Sequence, residues 1–288
     1  MNRTRIGDVE EWLLGLRLLE ANGRATCPLF LKPFHLATLA IALRKLKAED
    51  LRLPDQVRWY ARRMDLWSAV GMNEPQPAKH GNPSGRYLPL KPVTDRDAVN
   101  QYARDITTIV DQQYVGAQTL GSVRLMLIEL LENCFAHALV SEDLPGYTCA
   151  QAWPSGRLAQ VAITDNGLGM RESLGENPEL APLLIATNSC ELATERYVTS
   201  KPDRHSGYGL ALARELVEQN QGNLLIISGN EAFTAGVGYT RRLDLSVPWQ
   251  GTIVVLEWNT DRPLDSKAIY DEWTKAEGER NGDEPPDA

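Results

Sequence analysis

Cysteine is scarce and scattered in this sequence. The four cysteines are Cys27, Cys134, Cys149 and Cys190, and no two of them form a Cys-x-x-Cys pair. Closely spaced cysteines are typical of zinc sites, and dense sets of cysteines are typical of small domains held together by disulfides. The sequence therefore indicates neither kind of site, and we expect four reduced thiols.

Long apolar runs and an excess of positive charge are also missing. No stretch approaches the roughly 18 apolar residues of a membrane-spanning helix, and the first residues lack the apolar core of a secretory signal. We therefore expect a cytoplasmic protein with no membrane partner. The formal net charge of −8 makes nucleic acid an unlikely partner. Basic residues do cluster at 44–63. They could form a solvated helix face or a patch that binds a partner.

Five prolines and two glycines lie within residues 74–95. Such a density interrupts regular helices and strands. We therefore predict a linker there, which separates two folded parts. Residues 261–288 are acidic and end in a proline-containing stretch, which predicts a partly disordered tail.

Hydrophobic spacing predicts the elements on each side of the linker. Val9, Trp12 and Leu16 recur at helical spacing, which predicts an N-terminal helix at 8–20 within residues 1–24. Residues 25–73 are predicted to form a small α/β domain, with helices at 34–47 and 56–70 and a strand at 51–54. Residues 96–260 are predicted to form a larger α/β domain, with helices at 97–113, 120–139 and 208–220 and strands at 147–153, 158–164, 223–228, 239–246 and 252–258.

The first candidate motif lies on the strongly apolar helix 120–139. Glu129, Asn133 and His137 are spaced four residues apart and so share one face of that helix. A carboxylate one turn from a carboxamide suits a metal–phosphate site, because Mg²⁺ prefers oxygen ligands and a carboxylate can accept a proton from water. The same residues could also be the polar stripe of an amphipathic helix.

The second motif follows the strand 158–164 directly. A carboxylate at a strand end, Asp165, can accept a hydrogen bond from an exocyclic amine such as that of adenine. Gly167 and Gly169 let the backbone approach a flat ring, since they have no Cβ. Asn-Gly between strands also signals a hairpin, although the residues that follow lack the alternation of a returning strand.

The third motif is a turn before the helix 208–220. It consists of Ser206, Gly207, Tyr208, Gly209 and Leu210. Glycines before a helix expose backbone N–H groups to an anion at the positive end of the helix dipole. Upstream, Thr199, Ser200 and Lys201 could contact phosphates, although a solvated loop would have the same composition.

In order and spacing, these motifs resemble the GHKL superfamily, whose Bergerat fold is a two-layer α/β sandwich that binds ATP and Mg²⁺. The resemblance covers about residues 97–258. It implies that Asn133 binds Mg²⁺, that Asp165 binds adenine and that Glu129 activates water, with the other motif residues contacting ATP. It also implies that residues 171–206 form a mobile lid.

Within the superfamily, the motifs are more similar to anti-sigma-factor kinases and histidine-kinase ATP domains than to gyrase. The helix upstream of the ATP-binding core carries no histidine that could accept a phosphoryl group, and we expect no transducer domain after the core. We therefore expect neither a conventional histidine kinase nor a gyrase-like enzyme. Residues 25–73 resemble, more weakly, a STAS-like regulatory module. STAS antagonists carry a phosphorylatable hydroxyl where this chain has residues 32–35, so we expect an interaction module.

The resemblance implies a regulatory protein that binds ATP and controls a protein partner through its lid. Slow ATP hydrolysis or Ser/Thr phosphotransfer is the expected chemistry, and related regulators often form homodimers. Two alternatives stay open. One is a switch that binds nucleotide without turnover, and the other is an interaction protein with a degenerate pocket.

Overall fold

A five-stranded antiparallel sheet forms the centre of the fold. The structure, a computed structural model, describes residues 3–22, 27–74, 85–111, 117–136, 146–202 and 207–282. The strands are β1 (Tyr87–Val93), β2 (Gly146–Trp153), β3 (Leu158–Thr164), β4 (Asn223–Gly236) and β5 (Tyr239–Asn259). They lie in the order β1-β2-β3-β5-β4, each antiparallel to its neighbour. The described residues therefore form a mixed α/β structure, as predicted.

Helices lie before, between and after these strands. Those before β1 are α1 (Ile6–Asn22), α2 (Pro33–Lys45), α3 (Asp55–Arg63) and α4 (Leu66–Ala69). Those between β1 and β2 are α5 (Arg96–Asp111) and α6 (Ala117–Ala136). Those between β3 and β4 are α7 (Met170–Gly175), α8 (Ala181–Ala186), α9 (Ser189–Leu192) and α10 (Gly209–Gln219). The helix after β5 is α11 (Ser266–Gly282). In the part of the chain described, no helix is both long and apolar enough to cross a membrane.

Helices cover both faces of the sheet. One face, with Val161 and Leu256, packs against α5, α6, α10 and α11, whereas the other, with Ala162 and Val255, packs against α1 to α4. Within residues 96–260 the sheet and the helices α5, α6 and α10 form two layers, and the N-terminal helices α1 to α4 add a third layer on the other face of the sheet. Every residue of β3 is buried, and a strand that is apolar on both faces needs a cover on each.

The N-terminal layer differs from the predicted small α/β domain. Residues 51–54 form no strand, and their backbone is irregular although Leu51 and Leu53 are buried. The helix predicted at 56–70 is broken into α3 and α4 at Asp65, which has a φ of +57°. Glu257 in β5 has a buried carboxylate that connects this layer to the sheet. Its Oε1 lies 3.6 Å from Lys32 Nζ and accepts a hydrogen bond from Thr4 Oγ1.

The predicted linker at 74–95 contains the edge strand β1. Pro89 and Pro92 lie within this strand, which pairs only with β2 on one side. An edge strand tolerates proline because one side of its backbone needs no ladder hydrogen bond. The prediction that no regular element forms here was wrong for residues 87–93. Residues 75–84 lie outside the described residues.

The C-terminal half confirms the predicted helices and most of the strands. The predicted helices at 97–113, 120–139 and 208–220 are confirmed as α5, α6 and α10, except for residues 112–113 and 137–139, which lie outside the described residues. The predicted strands at 239–246 and 252–258 are parts of the single long strand β5. β3 leads into α7, so the hairpin alternative at Asp165 was wrong. Within the predicted tail at 261–288, α11 extends to Gly282, and residues 283–288 lie outside the described residues.

Candidate functional site

Residues from all three motifs line one pocket. It lies against the sheet between α6, the end of β3, α10 and the segment that follows β3. The predicted site residues in its wall are Glu129, Asn133, Asp165, Gly169, Thr199, Ser200, Gly207, Gly209 and Leu210. The fold thus brings side chains from distant parts of the sequence around one cavity.

Asp165 follows β3 and forms part of the pocket wall. Its Oδ1 accepts two backbone hydrogen bonds, from Gly167 N at 2.8 Å and from Thr252 N at 3.2 Å. No donor among the described residues reaches its Oδ2. The fold therefore fixes one carboxylate oxygen and leaves the other able to accept a hydrogen bond from a ligand.

Burial makes Asp165 an unusually weak acid. Removal from water raises its pKa from the ordinary 3.8 to about 6, although the hydrogen bonds from Gly167 and Thr252 lower it. A carboxyl group with a raised pKa in a cleft is typical of functional sites, because such sites exclude water around the groups that do the work.

This raised pKa predicts a pH-dependent gain in stability for Asp165→Asn. The ionised carboxylate costs stability, and this cost is absent below about pH 3.8 and complete above about pH 6. We expect the variant to be more stable than wild type at neutral pH, by up to about 3 kcal/mol. Thermal melts across this pH range should show the difference shrinking as the pH falls. A difference that does not change with pH would contradict the raised pKa.

Residues outside the motifs hold the Asp165 turn in place. Gly251 in β5 has a φ of +90°, and an added Cβ there would collide with the carbonyl oxygen of Asp165. Ser228 Oγ donates to the Gly251 carbonyl oxygen at 2.9 Å and accepts from Met170 N at 2.7 Å. These residues were not among the predicted site residues. A glycine inside a strand, which signals a bulge or a close backbone approach, was the available sign.

Apolar side chains make up most of the remaining wall. The lining residues that the sequence analysis missed are Leu130, Cys134, Ile163, Met170, Ser173, Leu174, Ala193, Val198, Thr252 and Val254. A mostly apolar cavity with a few fixed polar groups suits a flat, partly polar ring. No sequence signal separates such residues from ordinary core residues.

The glycine turn lies directly against the end of the segment before it. Gly207 has a φ of +71°, and an added Cβ would lie 2.8 Å from Tyr197 C and 2.9 Å from Val198 N. α10 begins at Gly209, and the first N–H groups of a helix have no acceptor within it. Since Gly207, Gly209 and Leu210 line the pocket, the positive end of α10 faces the cavity, which favours an anion there.

α6 places Glu129 and Asn133 in the same wall. The glycine turn packs closely on Glu129, since a Cβ added to Gly209 would lie 2.9 Å from Glu129 Cβ and 3.4 Å from its Oε2. No group of three or more His, Cys, Asp or Glu side chains that could hold a metal ion occurs among the described residues. A Mg²⁺ ion at these two side chains would therefore need oxygen ligands from a bound phosphate and from water.

Ser200 carries a buried hydroxyl without a partner. Its side chain is 5% exposed and lines the pocket, and its Oγ has no hydrogen-bond partner in the described part of the chain. A buried polar group that stays unsatisfied costs free energy. This hydroxyl therefore fits a site whose ligand supplies the missing hydrogen bond.

Some predicted site residues lie beside the pocket and not in its wall. Gly167 contributes its backbone N–H to Asp165, and Lys201 Nζ lies 3.8 Å from a Glu176 carboxylate oxygen. The Tyr208 ring packs on α11. Two further predicted residues lie outside the described part of the chain, namely His137 and Ser206.

The segment after β3 has more structure than predicted. Residues 170–202, here called the lid segment, contain α7, α8 and α9 where a long irregular stretch was expected. Arg171 binds Glu231 of β4 through two hydrogen bonds, of 2.6 and 2.9 Å. Ser189 N also donates to Glu231 at 3.0 Å. The lid segment is therefore attached to β4 and forms one wall of the pocket.

No family model matches the sequence, and no curated protein matches it. The functional interpretation therefore rests on the geometry and chemistry of the pocket.

Proposed function

We propose that this chain binds ATP with Mg²⁺ in the pocket, and that residues 96–260 have a Bergerat-type fold of the GHKL superfamily. The observation that carries the proposal is the meeting of three separate motif segments around one cavity, with the Oδ2 of Asp165 available to a ligand. Three unrelated polar segments are not expected to converge in this way unless they share a ligand.

In this proposal, the adenine ring lies among the apolar lining residues and donates its exocyclic amine to Asp165. The phosphates lie at the start of α10, where backbone N–H groups and the helix dipole stabilise negative charge. The Ser200 hydroxyl, which is buried and has no partner among the described residues, donates to a phosphate oxygen. Asn133 would hold the Mg²⁺ ion, which would supply positive charge beside the phosphates.

The lid segment is the part of the protein that we propose to respond to the nucleotide. The cavity encloses about 100 Å³, less than the roughly 300–1,000 Å³ of most small-molecule sites. We propose that the lid segment, which forms one wall of the cavity, moves outwards to admit a ligand of the size of ATP. A ligand shifts a conformational equilibrium only by binding one conformation more tightly than the other. If ATP binds the outward conformation of the lid segment more tightly, it would change the surface that the lid segment presents to a protein partner.

Glu129 is the proposed general base for slow ATP hydrolysis or phosphotransfer. Its carboxylate would accept a proton from the attacking water or hydroxyl, while the rest of the site positions the phosphates. Glu129→Gln keeps the shape of the side chain and removes the basic oxygen. We expect it to bind ATP with nearly wild-type affinity and to lose turnover by about 100-fold. Phosphate release under single-turnover conditions and calorimetry measure the two effects.

The same variant separates catalysis from a switch without turnover. The matched control is Glu132→Gln. Glu132 lies three residues after Glu129 on α6 and does not line the pocket, so this variant should keep both ATP binding and turnover. If wild type binds ATP but shows no turnover that depends on Glu129, the chain is a nucleotide switch and the catalytic part of the proposal is wrong.

A further inference from the structure

The helix α11 is fastened to the glycine turn by aromatic packing. Trp273 of α11 is 5% exposed, and its ring stacks on Tyr208 with centroids 5.2 Å apart and an interplanar angle of 24°. Trp273 Nε1 donates to Glu215 Oε1 of α10 at 2.8 Å. The indole is therefore fixed both by a ring stack and by a hydrogen bond.

The same aromatic group reaches the end of the lid segment. The Tyr208 ring lies 5.2 Å from the Tyr197 ring in an edge arrangement, and the Arg196 guanidinium lies 5.3 Å from the Trp273 ring centre. Tyr270 of α11 packs edge-on against Trp273 at 5.3 Å. Aromatic pairs of this geometry contribute specific stabilisation beyond the area they bury. One cluster thus joins α11, the glycine turn and the lid segment.

Tyr208 stands between two residues of the pocket wall. Gly207 and Gly209 line the cavity on either side of it in sequence, whereas Tyr208 does not line the cavity and packs on α11. The backbone of Tyr208 therefore belongs to the turn that faces the pocket, whereas its side chain packs against α11 on the side away from the cavity. Tyr208 is the residue before α10 begins, so it connects α11 directly to the start of that helix.

We propose that Trp273 is a positioning residue for the phosphate end of the site. It touches no part of the ligand, and it acts through Tyr208 to hold the start of α10 in the arrangement that receives the phosphates. This inference rests on the proposed binding of ATP. It assigns a role in the site to a helix that lies outside the three motifs.

The alternative is a purely structural role, because Trp273 is also part of the main hydrophobic core. A structural role predicts that its loss weakens every ligand to the same extent. A positioning role predicts a selective loss. Adenosine, which has the ring but no phosphates, should be affected much less than ATP.

The test is the affinity of Trp273→Ala for ATP and for adenosine, measured by calorimetry with Mg²⁺ present. We expect ATP to bind about tenfold more weakly, and adenosine to bind within about twofold of wild type. Trp273→Phe keeps a ring for the stack and should recover most of the affinity for ATP. Lys267→Ala, at an exposed position of the same helix with a side chain 72% exposed, is the matched control and should change neither affinity.

Tyr208→Leu tests the same contact from the other side, and serves if Trp273→Ala does not fold. It should show the same selective loss, and the double variant should lose little more than either single variant, because the two rings act as one unit. Equal weakening of ATP and adenosine, or unchanged ATP affinity, would overturn the inference while leaving the proposed function in place. Failure of wild type to bind ATP would instead overturn the proposed function, and this inference with it.

Discussion

Asp165→Asn is expected to weaken ATP binding by about 300-fold or more. The Oδ1 position accepts backbone hydrogen bonds from Gly167 and Thr252. In the variant, the amide oxygen has to take that position, and the amide nitrogen then points its N–H groups at the ligand. Two donors would face each other where the adenine amine needs an acceptor, so one hydrogen bond is lost and a repulsive contact replaces it.

The control for this variant is a carboxylate-to-amide change far from the pocket. Asp261→Asn alters a surface carboxylate that lies 3.1 Å from Arg157 and should leave ATP affinity unchanged. The expected stability of Asp165→Asn at neutral pH distinguishes lost binding from lost folding. An affinity for ATP in Asp165→Asn within a few-fold of wild type would show that Asp165 does not bind the base.

Gly207→Ala is expected to destabilise the protein by about 2–4 kcal/mol and to remove measurable ATP binding. Its φ of +71° is strained for any residue with a Cβ, and that Cβ would also press against backbone atoms of Tyr197 and Val198. Backbone cannot move aside as a flexible side chain can. The backbone of the glycine turn would have to shift to relieve this contact, and the start of α10 would no longer face the phosphates.

Gly238→Ala is the matched control. Gly238 has nearly the same φ, +73°, but an added Cβ would meet nothing within 4 Å. It lies between β4 and β5, outside the pocket wall. We expect it to cost only the conformational strain, about 1–2 kcal/mol, and to leave ATP binding intact. Chemical unfolding and calorimetry on both variants make the comparison. Equal effects would mean that the close approach at Gly207 has no role.

The sequence predicted the pocket better than it predicted the layers around the sheet. Glu129, Asp165 and Gly209 could be found because each belongs to a short motif whose residue types have a chemical reason to occur together. The motif spacing also placed them on a helix, at a strand end and in a turn, where the structure has them. Local sequence is sufficient for such features.

The position of the N-terminal helices depended on distant contacts. Glu257 in β5 accepts hydrogen bonds from Thr4 and Gln160. No pattern in the sequence near residue 4 predicts a contact with the last strand. The fully buried β3 did carry a sign of a second helical cover, because a one-sided sheet needs alternating polar residues. β1 was not predicted because its two prolines are also typical of a linker. α11 was not predicted because its acidic composition is also typical of a disordered tail.

Calorimetric titration of the wild-type protein with ATP, with and without Mg²⁺, tests the central claim most directly. We expect saturable binding of one ATP per chain, which is weakened when Mg²⁺ is removed and lost in Asp165→Asn. Absence of saturable ATP binding by the folded wild-type protein, at concentrations up to several millimolar, would contradict it.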